Sequence, residues 1–126
     1  MDYFPIFLRI RNRGCLVVGG GAVATRKVRQ LRKAGARIDI VASGLDPALQ
    51  ALLRAGQCRR AGDSFKSSQV RGCALVIAAS ADRHVNRRVF EVCRYRGIPI
   101  NAVDDPASCT YITPALVDRS PLLTAG

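Results

Sequence analysis

Apolar and polar positions fall into short blocks whose periodicity changes repeatedly along the chain. Phe4 to Ile10 is mostly apolar with Pro5 near its start, which predicts an edge strand, and Asn12-Arg13-Gly14 supplies turn residues after it. Cys15-Leu16-Val17-Val18 is a continuous apolar run of the kind found in strands buried on both faces. Three glycines follow at once. From Ala22 to Ala34 the period becomes helical: Ala24, Val28 and Leu31 share one face, while Arg26, Lys27, Arg29, Arg32 and Lys33 occupy the others, and Gly35 supplies the stop. A second strand is predicted over Arg37 to Val41, completing a βαβ unit.

The alternation continues downstream. Asp46-Pro47 is an N-cap followed by proline at the first helical position, opening a helix that carries Leu49, Leu52 and Leu53 and ends at Gly56. A weak, polar strand over Gln57 to Ala61 fits a sheet edge. Cys73 to Ala79 predicts a further strand, and Asp82 to Tyr95 a helix with Val85, Val89 and Val92 on one face, stopped by Gly97. Ile98 to Val103 is the last apolar strand. Beyond Pro106, Tyr111-Ile112, Ala115-Leu116-Val117 and Leu122-Leu123 are separated by prolines and read as short extended segments. The predicted fold is α/β, a Rossmann-like doubly wound parallel sheet with short extended C-terminal segments.

At 126 residues the chain fits one domain, and 48% hydrophobic against 23% charged residues is enough to bury a core. The apolar start is followed by Arg9, Arg11 and Arg13, the reverse of a secretory signal, and no run reaches the ~20 apolar residues of a spanning helix, so a cytoplasmic protein without a membrane partner is expected. The formal net charge is +11, and 17 of the 20 basic residues are Arg, which can grip carboxylates or phosphates with a planar fork. Nucleic acid is one partner for such a surface, but only 6% of residues are aromatic, Trp is absent, and no helix-turn-helix or RNA-binding signature appears, so no nucleic acid is expected. The five cysteines, at 15, 58, 73, 93 and 109, form no Cys-x-x-Cys pair. Together with the single histidine, His84, they predict reduced structural thiols and no resident metal, so that any metal handled would be substrate.

The candidate chemistry lies first in the glycine turn. Gly19, Gly21 and Ala24 match Gly-x-Gly-x-x-Gly/Ala between a predicted strand and a predicted helix. Gly19 allows the tight turn, Gly21 lets backbone approach a pyrophosphate, and Ala24 permits close helix-to-strand packing, with free N–H groups at the helix start favouring the anion. The acidic residue that usually holds the adenosine ribose is missing from the end of the second strand, where the sequence reads Val41-Ala42-Ser43-Gly44 and Asp39 should face away. Ser43 offers one weaker hydrogen bond, and no Arg at 41–45 awaits a 2′-phosphate, which leans the reading to NAD over NADP. The second constellation is Asp104-Asp105-Pro106 after the last strand, at the carboxyl edge where such sheets bind ligands.

Longer strings then become recognisable. Pro5-Ile6-Phe7, Val18-Gly19-Gly20-Gly21-x-Val23-Ala24-x-Arg26-Lys27, Ala78-Ala79-Ser80-x-Asp82 with Asn86, Val103-Asp104-x-Pro106 and Asp118-Arg119-Ser120-Pro121-Leu122 resemble the N-terminal part of siroheme synthase, at spacings that cover essentially the whole chain. The resemblance implies an NAD-dependent precorrin-2 dehydrogenase, an oxidoreductase that forms sirohydrochlorin and often doubles as a ferrochelatase with Fe²⁺ as substrate. It places Asp104 as the acidic active-site residue, and Ala22, Val23, Ser43 and Gly44 where the family holds the dinucleotide. Gly20, Ala79 and Ser80 complete the expected cofactor-binding set. The basic surface would then steer an octacarboxylate tetrapyrrole inward.

The resemblance also implies a homodimer. Family members continue past the position of Gly126 into a dimerisation region and a small helical domain, so residues 1–126 read as an NAD-binding domain, with 107–126 the start of a truncated dimerisation region. A non-catalytic NAD-sensing module, or an inactive fragment, is the alternative that such a chain leaves open.

Overall fold

The computed structural model describes Phe4 and residues 6–102. Five parallel strands form one sheet: β1 (Gly14–Val18), β2 (Arg37–Val41), β3 (Arg59–Gly62), β4 (Leu75–Ala78) and β5 (Ile100–Ala102), in the order β3-β2-β1-β4-β5. The helices α1 (Ala22–Lys33), α2 (Pro47–Arg54) and α3 (Arg83–Arg96) supply crossovers, and a 3₁₀ turn over Ser67–Val70 precedes β4. Strand order reverses between β2 and β4 on either side of β1, so the crevice at the carboxyl ends opens beside the glycine turn.

Both faces of the sheet are covered, as the continuous apolar runs require. Cys15 and Val17 of β1 point to one face, where they meet Val28 and Leu31 of α1 and Leu49 of α2. Leu16 and Val18 point to the other, against Val89, Phe90 and Cys93 of α3. The pleat sends neighbours to opposite sides, so a four-residue apolar string feeds two cores at once. Within α1 the fully buried Ala24 and Val28 and nearly buried Leu31 form the predicted face. The helix is capped at Ala34, and Gly35 follows at φ +81°, donating to the Arg32 carbonyl. α3 ends on Gly97 in the left-handed conformation and starts at Asp82, whose carboxylate accepts the His84 N–H.

The predicted strand over Phe4–Ile10 is not formed in the described residues, which carry no strand pairing from Ile6 to Ile10. Its apolar side chains do not reach a core: Phe7 is 90% exposed and Ile6 62%, and only Ile10 is buried. The stretch instead turns at Asn12, whose N–H donates to the Gly35 carbonyl across the α1–β2 connection. Among the described residues the sheet's edge strands are β3 and β5, and the Ile6–Ile10 stretch pairs with neither. The weak strand expected at Gln57–Ala61 lies at Arg59–Gly62 and does form an edge, and β4 and β5 are shorter than their apolar runs. Asp104 and the extended segments expected beyond Pro106, with the dimerisation region, fall outside the described residues. Among the described residues no helix is long and apolar enough to cross a membrane.

Candidate functional site

A cleft of about 810 Å³ lies along the carboxyl edge of the sheet. Its walls come from four connections: Gly19–Val23 after β1, Val41–Gly44 and Asp46 after β2, Asp63–Phe65 after β3, and Ala79–Asp82 with Val85 after β4. Nine of the ten expected cofactor-binding residues, Gly19, Gly20, Gly21, Ala22, Val23, Ser43, Gly44, Ala79 and Ser80, line it. Ala24 does not. It is fully buried beneath the turn among core residues of one sheet face, so its small size serves the close packing of α1 on the sheet.

The three glycines have three different reasons. Gly19 adopts φ +141°, and a Cβ there would run into the Ala79 carbonyl oxygen. Gly20 sits against the Gly44 carbonyl with no room for a side chain, while the Asp46 N–H donates to the Gly20 carbonyl at 2.8 Å. These two glycines therefore let the turn close onto its neighbouring connections. Gly21 is different: a Cβ built on it meets no atom within 4 Å and would project into open space at the start of α1. It is the N-cap residue, its carbonyl accepts from both the N–H and the Oγ1 of Thr25, and the first turn of α1 carries no acidic residue. An uncompensated helix N-terminus with backbone exposed at a glycine suits a pyrophosphate.

The opposite wall is held by side chains. Ser80 N–H donates to Asn86 Oδ1 at 3.0 Å and Asn86 Nδ2 donates to the Ser80 carbonyl at 2.9 Å. Ser80 Oγ accepts the Asp82 N–H, so the β4–α3 turn is fixed from within. His84 is exposed on the first turn of α3 and makes no wall of the cleft.

Asp39 does face away from the cleft, as expected: its carboxylate takes a two-bond grip from Arg59, its register partner on β3, at 3.1 and 3.0 Å. That pair lies in a separate groove with Arg37 and Arg71. Residues that sequence reasoning missed appear here instead. Asp63 lines the cleft from the end of β3, and Arg60 Nη2 reaches the end of β2, donating to the Ala42 carbonyl at 2.6 Å and pairing with Asp63 Oδ1 at 3.0 Å. The Gly62-Asp63-Ser64 turn signal was visible in the sequence, but its pairing beside β2 was not.

None of the four described thiols lines the cleft. Burial pushes the Cys15 thiol up to about 11 and the Cys93 thiol up to about 12, and it also raises Cys58 and Cys73. All four are free cysteines and stay neutral near pH 7.

Comparison with known proteins adds three findings. A family described as "Putative NAD(P)-binding" matches residues 6–115. The chain is 49% identical over 125 residues to the siroheme synthase of Methylobacillus flagellatus and 48% identical to that of Thioalkalivibrio sulfidiphilus, with 99% of this chain covered in each case. It spans about a quarter of the length of these relatives, 27% and 26%. Among solved structures, the precorrin-2 dehydrogenase SirC superposes with a TM-score of 0.75 at 23% identity, covering 98% of this chain and 66% of that one, a likeness of fold.

Proposed function

This chain belongs to the NAD(P)-binding family matched over residues 6–115, and on that premise we propose that it oxidises precorrin-2 to sirohydrochlorin with NAD, a step of siroheme biosynthesis. The observation that carries the reading is the glycine turn: it closes on both neighbouring connections through Gly19 and Gly20 yet leaves open space at Gly21. Near-half identity to two siroheme synthases along the whole chain supplies the substrate class.

In this reading the backbone of Gly19 to Val23 holds the pyrophosphate at the start of α1, Ser43 and Gly44 border the adenosine, and Ala79 and Ser80 border the nicotinamide. When bound, NAD supplies a hydride acceptor. The residues of the chain do the rest: the turns orient the dinucleotide, and Asp104, close after β5, takes the proton that the tetrapyrrole must lose with each hydride. Net charge +11 favours an octacarboxylate over neutral competitors, because long-range attraction raises the encounter rate. Chelation of Fe²⁺ as a substrate by the same carboxylate, homodimer formation and a cytoplasmic setting complete the reading.

The test is turnover. Precorrin-2, NAD and the protein are incubated anaerobically, and NADH and sirohydrochlorin are followed together by absorbance. Equal yields of the two products are expected. NAD binding without either product, in a preparation that also contains the remainder of the relatives' length, would remove the dehydrogenase assignment.

A further inference from the structure

The end of β2 carries no carboxylate for the adenosine ribose, since Val41 is followed by Ala42, Ser43 and Gly44. The pairing of β2 with β3 shifts register between Ile40 and Val41, and the Ala42 N–H donates to the Gly62 carbonyl at 3.2 Å. The end of β3 is thereby drawn alongside the end of β2, with Asp63 as its next residue. Three oxygens surround one nitrogen there: Arg60 Nη2 lies 2.6 Å from the Ala42 carbonyl, 3.4 Å from the Ser43 carbonyl and 3.0 Å from Asp63 Oδ1. The Arg60 side chain is 37% exposed and that of Asp63 83%, so the guanidinium is the covered partner and the carboxylate the open one, at a cleft that Ser43 and Asp63 both line.

We propose that Asp63, positioned by Arg60, is the carboxylate that accepts the adenosine ribose hydroxyls and turns away a 2′-phosphate, which makes the chain specific for NAD. The inference rests on the dinucleotide reading of the cleft. A carboxylate can accept both hydroxyls of a ribose, whereas a phosphate beside it sets like charges together in a partly enclosed site. Arg60 is the cation nearest the end of β2 by its bonds, but its Nη2 is committed to two carbonyls and Asp63, so it is a positioning residue and not a phosphate receiver. Asp46 also lines the cleft, yet it opens α2 and its N–H bonds Gly20, which sets it beside the glycine turn.

Calorimetric titration of the whole chain with NAD and with NADP tests this, on the wild type and on Asp63→Asn, Arg60→Gln and Asp46→Asn, with folding followed by circular dichroism. The wild type is expected to bind NAD at least about tenfold more tightly than NADP, since one charge-assisted hydrogen bond is worth that much. Asp63→Asn should lose about tenfold in NAD affinity and bind the two dinucleotides almost equally. Arg60→Gln should narrow the ratio partway while remaining folded. A ratio unchanged in Asp63→Asn, or one that collapses in Asp46→Asn instead, overturns the role of Asp63 and leaves the NAD reading standing. Binding of neither dinucleotide by the folded wild type overturns both.

Discussion

Asn86 holds Ser80 by both ends of its amide, accepting the Ser80 N–H and donating to the Ser80 carbonyl. Ser80 lies two positions after the end of β4 and borders the cleft, so the first turn of α3 fixes the backbone of that wall. Asn86→Ala leaves a part-buried N–H and carbonyl without this partner, at a cost of about 1–3 kcal/mol and several degrees of melting temperature. Asn86→Asp keeps the acceptor and loses the donor, so it should fall between the two. Thermal melts paired with NAD titration check this: melts of Asn86→Ala that overlay the wild type would show the ring of two bonds to be incidental.

Gly20 and Gly21 are neighbours with opposite duties, and their substitutions should separate. In Gly20→Ala the new methyl meets the Gly44 carbonyl and comes to 3.0 Å from Ala42 Cβ, so two backbone connections must move apart. A loss of about 1–3 kcal/mol in stability is expected, with weaker NAD binding as a consequence. Gly21→Val meets open space and keeps an extended backbone at φ −94°, so the fold should lose no more than about 1 kcal/mol, the cost of a poorer N-cap. NAD affinity should nevertheless fall by at least tenfold, because the side chain occupies the approach to the helix start. Denaturant curves and calorimetry on the same preparations read both quantities.

The first βαβ unit was legible because its signals are local. Continuous apolar residues from Cys15, the glycines at 19 to 21, the face of Ala24, Val28 and Leu31, and Gly35 place β1, α1 and β2 to within a residue. Phe4–Ile10 shows the limit: a mostly apolar stretch becomes a strand only where a sheet edge takes it up, and that depends on the rest of the fold. Asp63 and Arg60 were hidden for the same reason. They come beside the end of β2 through a register shift between β2 and β3, and nothing within either strand's own sequence announces a shift. The separation of Gly20 from Gly21 likewise depends on Gly44, more than twenty positions away, closing over the turn.

The buried thiols give the chain an alkaline limit. An unfolded cysteine titrates near 9, whereas Cys15 and Cys93 in the folded chain are pushed up to about 11 and about 12, chiefly by burial. Below pH 9 both states hold their thiol protons and nothing is lost. As pH rises further the unfolded chain releases protons that the folded chain retains, so folding stability declines from about pH 9 through about 12. Urea unfolding at stepped pH should show this decline, and Cys93→Ala, once its cavity cost is taken as a constant offset, should flatten part of it. In native protein at pH 8, Cys15 and Cys93 should stay unlabelled by a maleimide mapped by mass spectrometry. Rapid labelling of Cys93 would show that α3 opens readily from the sheet.

The last prediction concerns two carboxylates beyond the described residues, Asp104 and Asp105. β5 ends at Ala102, whose register partner is Ala78, directly before the cleft residues Ala79 and Ser80. Asp104 follows Ala102 two positions on in the sequence. Adjacent residues of an extended strand point to opposite sides, which is the ground for expecting one of the pair, and not both, to act. We expect Asp104 to carry the proton transfer. General-base contributions reach ~10² to 10⁴ in rate, so Asp104→Asn should keep NAD affinity while cutting precorrin-2 oxidation by at least tens of fold. Asp105→Asn should change it only a few fold. The pH profile separates a base from a structural carboxylate: the acid limb of kcat/KM should be present in Asp105→Asn and missing from the residual activity of Asp104→Asn. The reverse pattern would move the functional carboxylate to the second position, and two unaffected variants would mean that the proton leaves to solvent or to a carboxylate of the substrate itself.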